Sequence, residues 1–117
     1  MRIGIVGSRY FTDMKLLIKV LRYNMREREE ITEIVSGGAK GADTLAERYA
    51  EAKGIDKNIF LPDWDTHGKK AGFLRNIDIV QNSDLVFAFW DGISAGTKHS
   101  IDLCKKYKVE CIVTKFE

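Results

Sequence analysis

The chain has 117 residues, a length that fits one domain with a single hydrophobic core. Hydrophobic residues make up 44% and charged residues 31%, and no apolar run approaches the roughly 20 residues that cross a bilayer, so no membrane partner is expected. Its 19 basic and 17 acidic residues give a net charge of only +2, whereas a nucleic-acid module usually carries a concentrated basic face. Nucleic acid is therefore an unexpected partner.

The N-terminal residues enter a strand pattern directly, without the basic segment, long apolar stretch and cleavage site of a signal peptide. This start predicts a cytoplasmic protein. The two cysteines, Cys104 and Cys111, are too few and wrongly spaced for a zinc site or a disulfide framework. We expect both to be buried as small apolar residues, and we expect neither a metal nor a cofactor.

Short strand patterns alternate with amphipathic helix patterns, which is typical of a parallel sheet covered by helices on both faces. Strands are predicted over residues 2–7, 31–36, 59–62, 84–90 and 110–114. Helices are predicted from Thr12 as N-cap, over residues 41–53, from about residue 73 to residue 80, and over residues 96–107. Residues 63–70 are predicted to form a polar loop.

Five strands and four helices in strict alternation predict an α/β, Rossmann-like, doubly wound parallel sheet in one domain, residues 1–117. Right-handed crossovers allow the strand order 3-2-1-4-5 or 2-1-3-4-5. We favour 3-2-1-4-5 because it makes strands 1, 2 and 4 neighbours. Their carboxyl ends, where ligands bind in such folds, then share one crevice.

Three Gly/Ser-rich loops follow strands 1, 2 and 4, and each opens a helix. Their candidate ligand-binding residues are Gly7, Ser8 and Arg9; Ser36, Gly37, Gly38, Gly41, Ala42 and Asp43; and Trp90, Asp91, Gly92, Ser94, Gly96 and Thr97. Glycine lets a ligand approach the backbone, and the free amides at the start of a helix suit a phosphate. The loops therefore favour an anionic, nucleotide-derived ligand, although glycines that merely turn the chain are the alternative.

Several side chains add chemistry to this crevice. The guanidinium of Arg9 suits a phosphate or carboxylate, and Lys69, Arg75 and Asn76 lie at spacings that place them together near the start of the third helix. Trp64 and Trp90 offer flat surfaces for a base, with core packing as the other interpretation. The candidate general acids or bases are Asp43 and Asp91.

Four segments of the chain together resemble the SLOG superfamily, in particular its small YspA-like, YpsA-related branch. They are Gly7-Ser8-Arg9, the segment from Ser36 to Asp43, Asp63-Trp64 with the segment from Gly68 to Asn76, and the segment from Phe89 to Thr97. The resemblance implies a Rossmann-like domain that binds a nucleotide or nucleotide-derived ligand. More distant relatives are the LOG-type phosphoribohydrolases, the DprA proteins that bind single-stranded DNA, and sensors of signalling nucleotides.

Family resemblance also implies that a homo-oligomer is possible, since relatives commonly dimerise. LOG-type enzymes carry a glutamate three residues after the threonine of their loop, and here that position is Ser100. We therefore expect binding of a nucleotide-derived small molecule for sensing or sequestration. The alternatives are a hydrolase that cleaves an N-glycosidic or phosphate bond and, less favoured, a single-stranded DNA-binding module.

Overall fold

A five-stranded parallel sheet with the order β3-β2-β1-β4-β5 forms the centre of the molecule, a computed structural model that describes residues 1–117. The strands are β1 (Arg2–Gly7), β2 (Glu33–Ser36), β3 (Asp56–Ile59), β4 (Leu85–Trp90) and β5 (Glu110–Lys115). Gly4 of β1 lies opposite Val35 of β2 and Val86 of β4. The predicted order is confirmed, and β1, β2 and β4 are neighbours.

Helices cover both faces of the sheet. They are α1 (Met14–Met25), α2 (Ala42–Lys53), α3 (Trp64–His67), α4 (Ala71–Gln81) and α5 (Ala95–Tyr107), with a 3-10 turn at Gly68–Lys70. Leu17 and Leu21 of α1 pack with Phe87 on one face, whereas Val80 of α4 and Leu103 of α5 pack on the other. None of the helices has the combination of length and apolar composition that crossing a lipid bilayer requires.

Several predicted boundaries were wrong. The N-cap of α1 is Asp13 rather than Thr12, because the Asp13 carboxylate accepts a hydrogen bond from the Leu16 amide at 3.0 Å. Residues 64–70 of the predicted loop are helical, since the Asp63 carboxylate caps the first turn by accepting from the Thr66 amide at 3.1 Å. The second strand begins at Glu33, two residues later than predicted.

The third strand lies at 56–59, not at 59–62. Its first three residues are polar and none of its residues is buried, because β3 is an edge strand. Backbone pairing with β2 therefore decides its position, and apolar patterning does not. The backbone stays paired one residue further, where the Phe60 amide donates to the Ser36 carbonyl at 2.9 Å. Of the cysteines, Cys104 is buried as predicted, but Cys111 is partly exposed.

Candidate functional site

A cleft of about 400 Å³ lies at the carboxyl ends of β1 and β4. Its wall brings together these predicted residues: Gly7, Ser8, Arg9, Asp43, Arg75, Asn76, Asp91, Ser94, Gly96 and Thr97. The predicted residues outside the wall are Ser36, Gly37, Gly38, Gly41, Ala42, Trp64, Lys69, Trp90 and Gly92. Parts of all three loops, joined by α4, thus surround one space.

The loops after β1 and β2 are packed on each other, and glycine makes this possible. A Cβ on Gly41, whose φ is +77°, would collide with the carbonyl groups of Ser8 and Arg9. The buried Ala42 directs its amide to the Ser8 carbonyl at 3.2 Å. The Ala42 amide at the start of α2 is therefore used within the protein and is not available to a phosphate.

The glycines after β2 also accommodate protein side chains. A Cβ on Gly37 would lie 2.5 Å from Arg75 Nη1, and a Cβ on Gly38 would collide with Leu61. The Ser36 hydroxyl is buried and donates to the Ile5 carbonyl at 2.9 Å. Ser36, Gly37 and Gly38 therefore support the residues of the cleft wall but do not line the wall themselves.

Asp43 is the buried carboxyl group of the site, with only 7% of the residue exposed. Its Oδ2 accepts from the Ala39 amide at 3.1 Å. Burial raises the pKa of Asp43, and the Ala39 hydrogen bond, the neighbouring Ser36 hydroxyl and the charge of Arg75 oppose that rise. This carboxyl group therefore takes up a proton more readily than an ordinary aspartate.

The two arginines of the cleft differ in how firmly they are held. Arg75 Nη1 donates to the Gly37 carbonyl at 2.6 Å, and its Nε donates to Asn76 Oδ1 at 3.0 Å. Burial lowers the pKa of Arg75, opposed by Asp43, but a guanidinium stays charged. Arg9 is exposed, and its side chain donates no hydrogen bond to the protein. One cation is fixed and the other is free to meet a ligand.

The loop after β4 is held rigidly by its own groups. Asp91 Oδ1 accepts from the amides of Ile93 at 2.9 Å and Ser94 at 2.7 Å, and these hydrogen bonds lower the pKa of Asp91. The Trp90 indole donates to the Ser94 carbonyl at 3.0 Å. Asp91 and Trp90 thus fix the backbone that leads into α5, and the Trp90 ring does not line the cleft.

The first turn of α5 remains open at the cleft. Its N-cap, Ser94, accepts no helix amide, and the amides of Ala95, Gly96 and Thr97 have no hydrogen-bond partner in the protein. A Cβ on Gly96 would meet nothing within 4 Å, so the backbone there is uncovered. Three free donors at the positive end of a helix provide a place for an anion.

Two rim residues were missed from the sequence. Tyr10 is 84% exposed and Ile93 is 87% exposed, and they stand on the loops after β1 and β4. The aromatic residue next to Arg9 was the available signal for Tyr10, while Trp64 and Lys69 instead lie exposed outside the cleft wall. The other lining residues not predicted are Val6, Ala39, Ile79 and Ser100.

Residues 1–67 match the family described as YAcAr: YspA, cpYpsA-related SLOG family. The chain belongs to this SLOG family. Over 117 residues it is 35% identical to Gene 61 protein of Mycobacterium phage D29, covering 95% of this chain and 94% of the phage protein. The resemblance seen in the sequence is thereby confirmed.

The SLOG chain also shares its fold with DNA processing protein A from Helicobacter pylori, a protein described for its unique single-stranded DNA binding mode. The TM-score is 0.73 at 23% identity, and the match covers 100% of this chain but 66% of the Helicobacter chain. At this identity the similarity shows the Rossmann-like fold.

Proposed function

We propose that this SLOG domain binds a nucleotide or nucleotide-derived small molecule in the cleft, for sensing or sequestration. The observation that carries the proposal is the first turn of α5, where three unpaired amides lie beside a glycine with open space. The exposed cation of Arg9 lines the same cleft. Backbone donors, a helix dipole and a guanidinium together favour a phosphate group.

The remaining wall suits the other parts of a nucleotide. Tyr10 and Ile93 offer exposed flat or apolar surface to a base, and the Asp43 carboxyl group offers polar atoms to a sugar. The volume of about 400 Å³ lies in the range of small-molecule sites, about 300 to 1,000 Å³. Both the charge and the size of the cleft therefore support this ligand class.

Binding without turnover is the form we favour. At the position of the LOG-type glutamate, Ser100 donates to the Gly96 carbonyl at 3.4 Å and supplies no carboxylate. The Asp91 carboxylate is engaged by two amides. The hydrolase alternative retains one supporting observation, the raised pKa of Asp43 at the cleft wall, which suits a general acid.

Calorimetry with nucleoside monophosphates and diphosphates, set against the matching nucleosides, tests the proposal. We expect the phosphorylated compounds to bind and Arg9→Ala to weaken them about tenfold, because a charged contact is lost. Arg48→Ala removes an exposed arginine outside the cleft and serves as the matched control. Equal affinity for nucleosides and nucleotides would reject the phosphate site.

Chromatography of the same mixtures separates binding from hydrolysis. We expect the nucleotides to be recovered unchanged after incubation with the protein. Release of base or phosphate that disappears in Asp43→Asn would instead establish the hydrolase alternative, with Asp43 as its acid or base.

A single-stranded nucleic acid is the second candidate ligand, and α1 supports it. Lys15, Lys19, Arg22 and Arg26 are all exposed, follow helical spacing and take part in no ion pair. Tyr23 beside them is 65% exposed, with the Arg26 guanidinium 4.5 Å from its ring centre. Cations interleaved with an aromatic ring suit a phosphate backbone and its bases.

Fluorescence anisotropy with a labelled oligonucleotide at about 50 mM and about 200 mM salt tests this candidate. If it holds, affinity falls steeply with salt, and the double charge reversal Lys15→Glu with Lys19→Glu abolishes binding. The matched control reverses the exposed pair Lys105 and Lys106 on α5. Absence of binding at the lower salt concentration removes the candidate.

A further inference from the structure

A chain of hydrogen bonds runs behind the cleft from α5 to the loop after β2. Asn76 Nδ2 lies 3.2 Å from His99 Nδ1, Asn76 Oδ1 accepts from Arg75 Nε at 3.0 Å, and Arg75 Nη1 donates to the Gly37 carbonyl at 2.6 Å. Arg75 and Asn76 line the cleft, whereas His99 does not. His99 therefore contacts the ligand-facing arginine only through Asn76.

This chain of hydrogen bonds determines which ring nitrogen of His99 carries the proton. Because Asn76 Oδ1 faces an N–H donor, the Asn76 NH₂ group faces the imidazole, and Nδ1 has to accept. The imidazole is then neutral, with its proton on Nε2. An edge-to-face contact with Phe73, at 4.7 Å between ring centres and 87° between planes, fixes the ring orientation.

We propose that His99 is a positioning residue whose Nδ1 lone pair orients the Asn76 amide and thereby holds the Arg75 guanidinium at the cleft. The ligand consequence rests on the proposed function, because Arg75 matters to affinity only if the cleft binds an anion. Without this lone pair, the Asn76 NH₂ group loses its hydrogen-bond acceptor, and the amide orientation that directs Oδ1 at Arg75 is no longer favoured. The guanidinium then keeps only its contact with Gly37.

Protonation of His99 gives the same loss reversibly. An imidazolium directs Nδ1–H at the Asn76 NH₂ group, and two donors cannot share a hydrogen bond. Burial lowers the pKa of His99, opposed by Asp102 on its own helix, so the accepting form prevails at neutral pH. From α4 the groups against the ring are Phe73 and Asn76, with the charge of Arg75 one hydrogen bond further.

Charge and geometry act with opposite signs in acid. The added positive charge of an imidazolium would strengthen anion binding, whereas loss of the acceptor would release Arg75 and weaken binding. The positioning role therefore predicts an affinity that falls below the pKa of His99. A purely electrostatic role predicts an affinity that rises.

Nitrogen NMR of the histidine rings tests the proposal without any ligand. The chain has two histidines, so exposed His67 provides a reference in the same spectrum. We expect Nδ1 of His99 to be unprotonated at about pH 7.5, the ring to titrate below the usual value of about 6.5, and the Arg75 Nε–H resonance to follow that titration. A proton on Nδ1, or an Arg75 resonance indifferent to the titration, would overturn the proposal.

Two variants then measure the effect on affinity, with adenosine monophosphate as the probe. His99→Asn places an amide oxygen near the Nδ1 position and cannot titrate, while His99→Phe keeps the ring but removes the acceptor. We expect His99→Phe to bind about tenfold more weakly at about pH 7.5. On acidification below the His99 titration midpoint found by NMR, we expect the native protein to lose up to about tenfold more affinity than His99→Asn. The probe and Asp43 titrate in both proteins, so their contributions to the pH dependence cancel when the native protein is compared with His99→Asn.

The outcomes separate the two proposals. If no form of the protein binds the probe, the proposed function fails for this ligand, and the NMR readout still decides the positioning role. If the native protein binds more tightly in acid than His99→Asn, or if His99→Phe matches the native affinity with an unmoved Arg75 resonance, the positioning role is rejected.

Discussion

Two aspartates of the cleft have surroundings that change their pKa values in opposite directions. Burial raises the pKa of Asp43, whereas hydrogen bonds from the Ser94 and Ile93 amides lower the pKa of Asp91. Keeping a carboxylate charged in a buried place costs folding free energy, while a carboxylate that accepts two amides stabilises its loop. The opposite directions make the pair a sensitive test of the site.

Asp43→Asn is expected to raise the thermal unfolding midpoint at about pH 7 by about 4 °C. The amide oxygen still accepts from the Ala39 amide, and the cost of burying a charge disappears. Because a raised folded pKa makes the native protein gain stability as pH falls, this advantage should shrink in acid. Calorimetric scans across pH measure it, and a destabilised variant at neutral pH would contradict the account.

Asp91→Asn is the matched change with the opposite expected sign. The folded pKa of Asp91 is lowered, so its contribution is present at neutral pH and is lost as pH falls through that lowered value. We expect a lower unfolding midpoint at about pH 7 and a difference that shrinks as the pH falls through the lowered pKa of Asp91. The same scans check this prediction, and a midpoint equal to the native one at neutral pH would refute it.

At the scale of elements, alternation of strand and helix patterns predicted the doubly wound sheet but left two strand orders open. The three Gly/Ser-rich loops favoured the order 3-2-1-4-5, which the structure confirms. Apolar patterning failed at β3 because an edge strand needs few buried side chains. What lies next to each glycine depends on residues that are distant in the sequence. Gly37 faces Arg75, Gly41 faces the loop after β1, and Gly96 faces open space.

The same limit explains the aromatic residues. Trp90 ends a buried strand, and its indole N–H donates to the Ser94 carbonyl. Tyr10, by contrast, lies on the rim of the cleft with most of its surface exposed. A sequence pattern places an aromatic residue near a loop but does not tell which side of the loop it covers. The packing of the loops against each other determines which side the aromatic residue covers.

The open first turn of α5 yields a paired prediction. Gly96 and Gly72 are each the second residue of a helix, but only Gly96 lines the cleft. Gly96→Ala should weaken nucleotide binding at least about tenfold by placing a methyl group over the free amides, while the fold gains up to about 1 kcal/mol from helix propensity. Calorimetric titration and thermal unfolding measure the two effects.

Gly72→Ala is the control for that change. Its added Cβ would lie 3.7 Å from Trp64 Cη2, an ordinary contact, so stability should rise similarly and nucleotide affinity should stay the same. If both alanine variants bind the nucleotide as the native protein does, the phosphate does not lie on the first turn of α5.

Over the whole molecule, charge is distributed far less evenly than the net value suggests. Residues 15–26 carry four cations and no acid, which leaves a net −2 on the remainder of a chain whose total is +2. A low net charge therefore does not describe the field at α1. The three-dimensional exposure of this helix face is what supports a test with nucleic acid.

The hydrophobic core also extends over the whole molecule, since two clusters share one sheet. Phe87 of β4 belongs to the cluster under α1 and α2, and Val86, the adjacent residue, belongs to the cluster under α4 and α5. Because successive residues of the central strands bury opposite faces, neither cluster can be lost without disturbing the other. We expect residues 1–117 to unfold as one cooperative unit.

Leu17→Ala and Leu103→Ala test that cooperativity from opposite faces. Leu17 is 0% exposed and Leu103 is 6% exposed, so each change should lower the free energy of unfolding by about 3 kcal/mol, a large part of the roughly 5 to 15 kcal/mol of a small domain. Urea unfolding followed by tryptophan fluorescence and by circular dichroism should give coincident curves in both variants. Exposed Ile93→Ala, expected within about 0.5 kcal/mol of the native protein, is the control. Curves that separate in one variant would show that the two faces unfold independently.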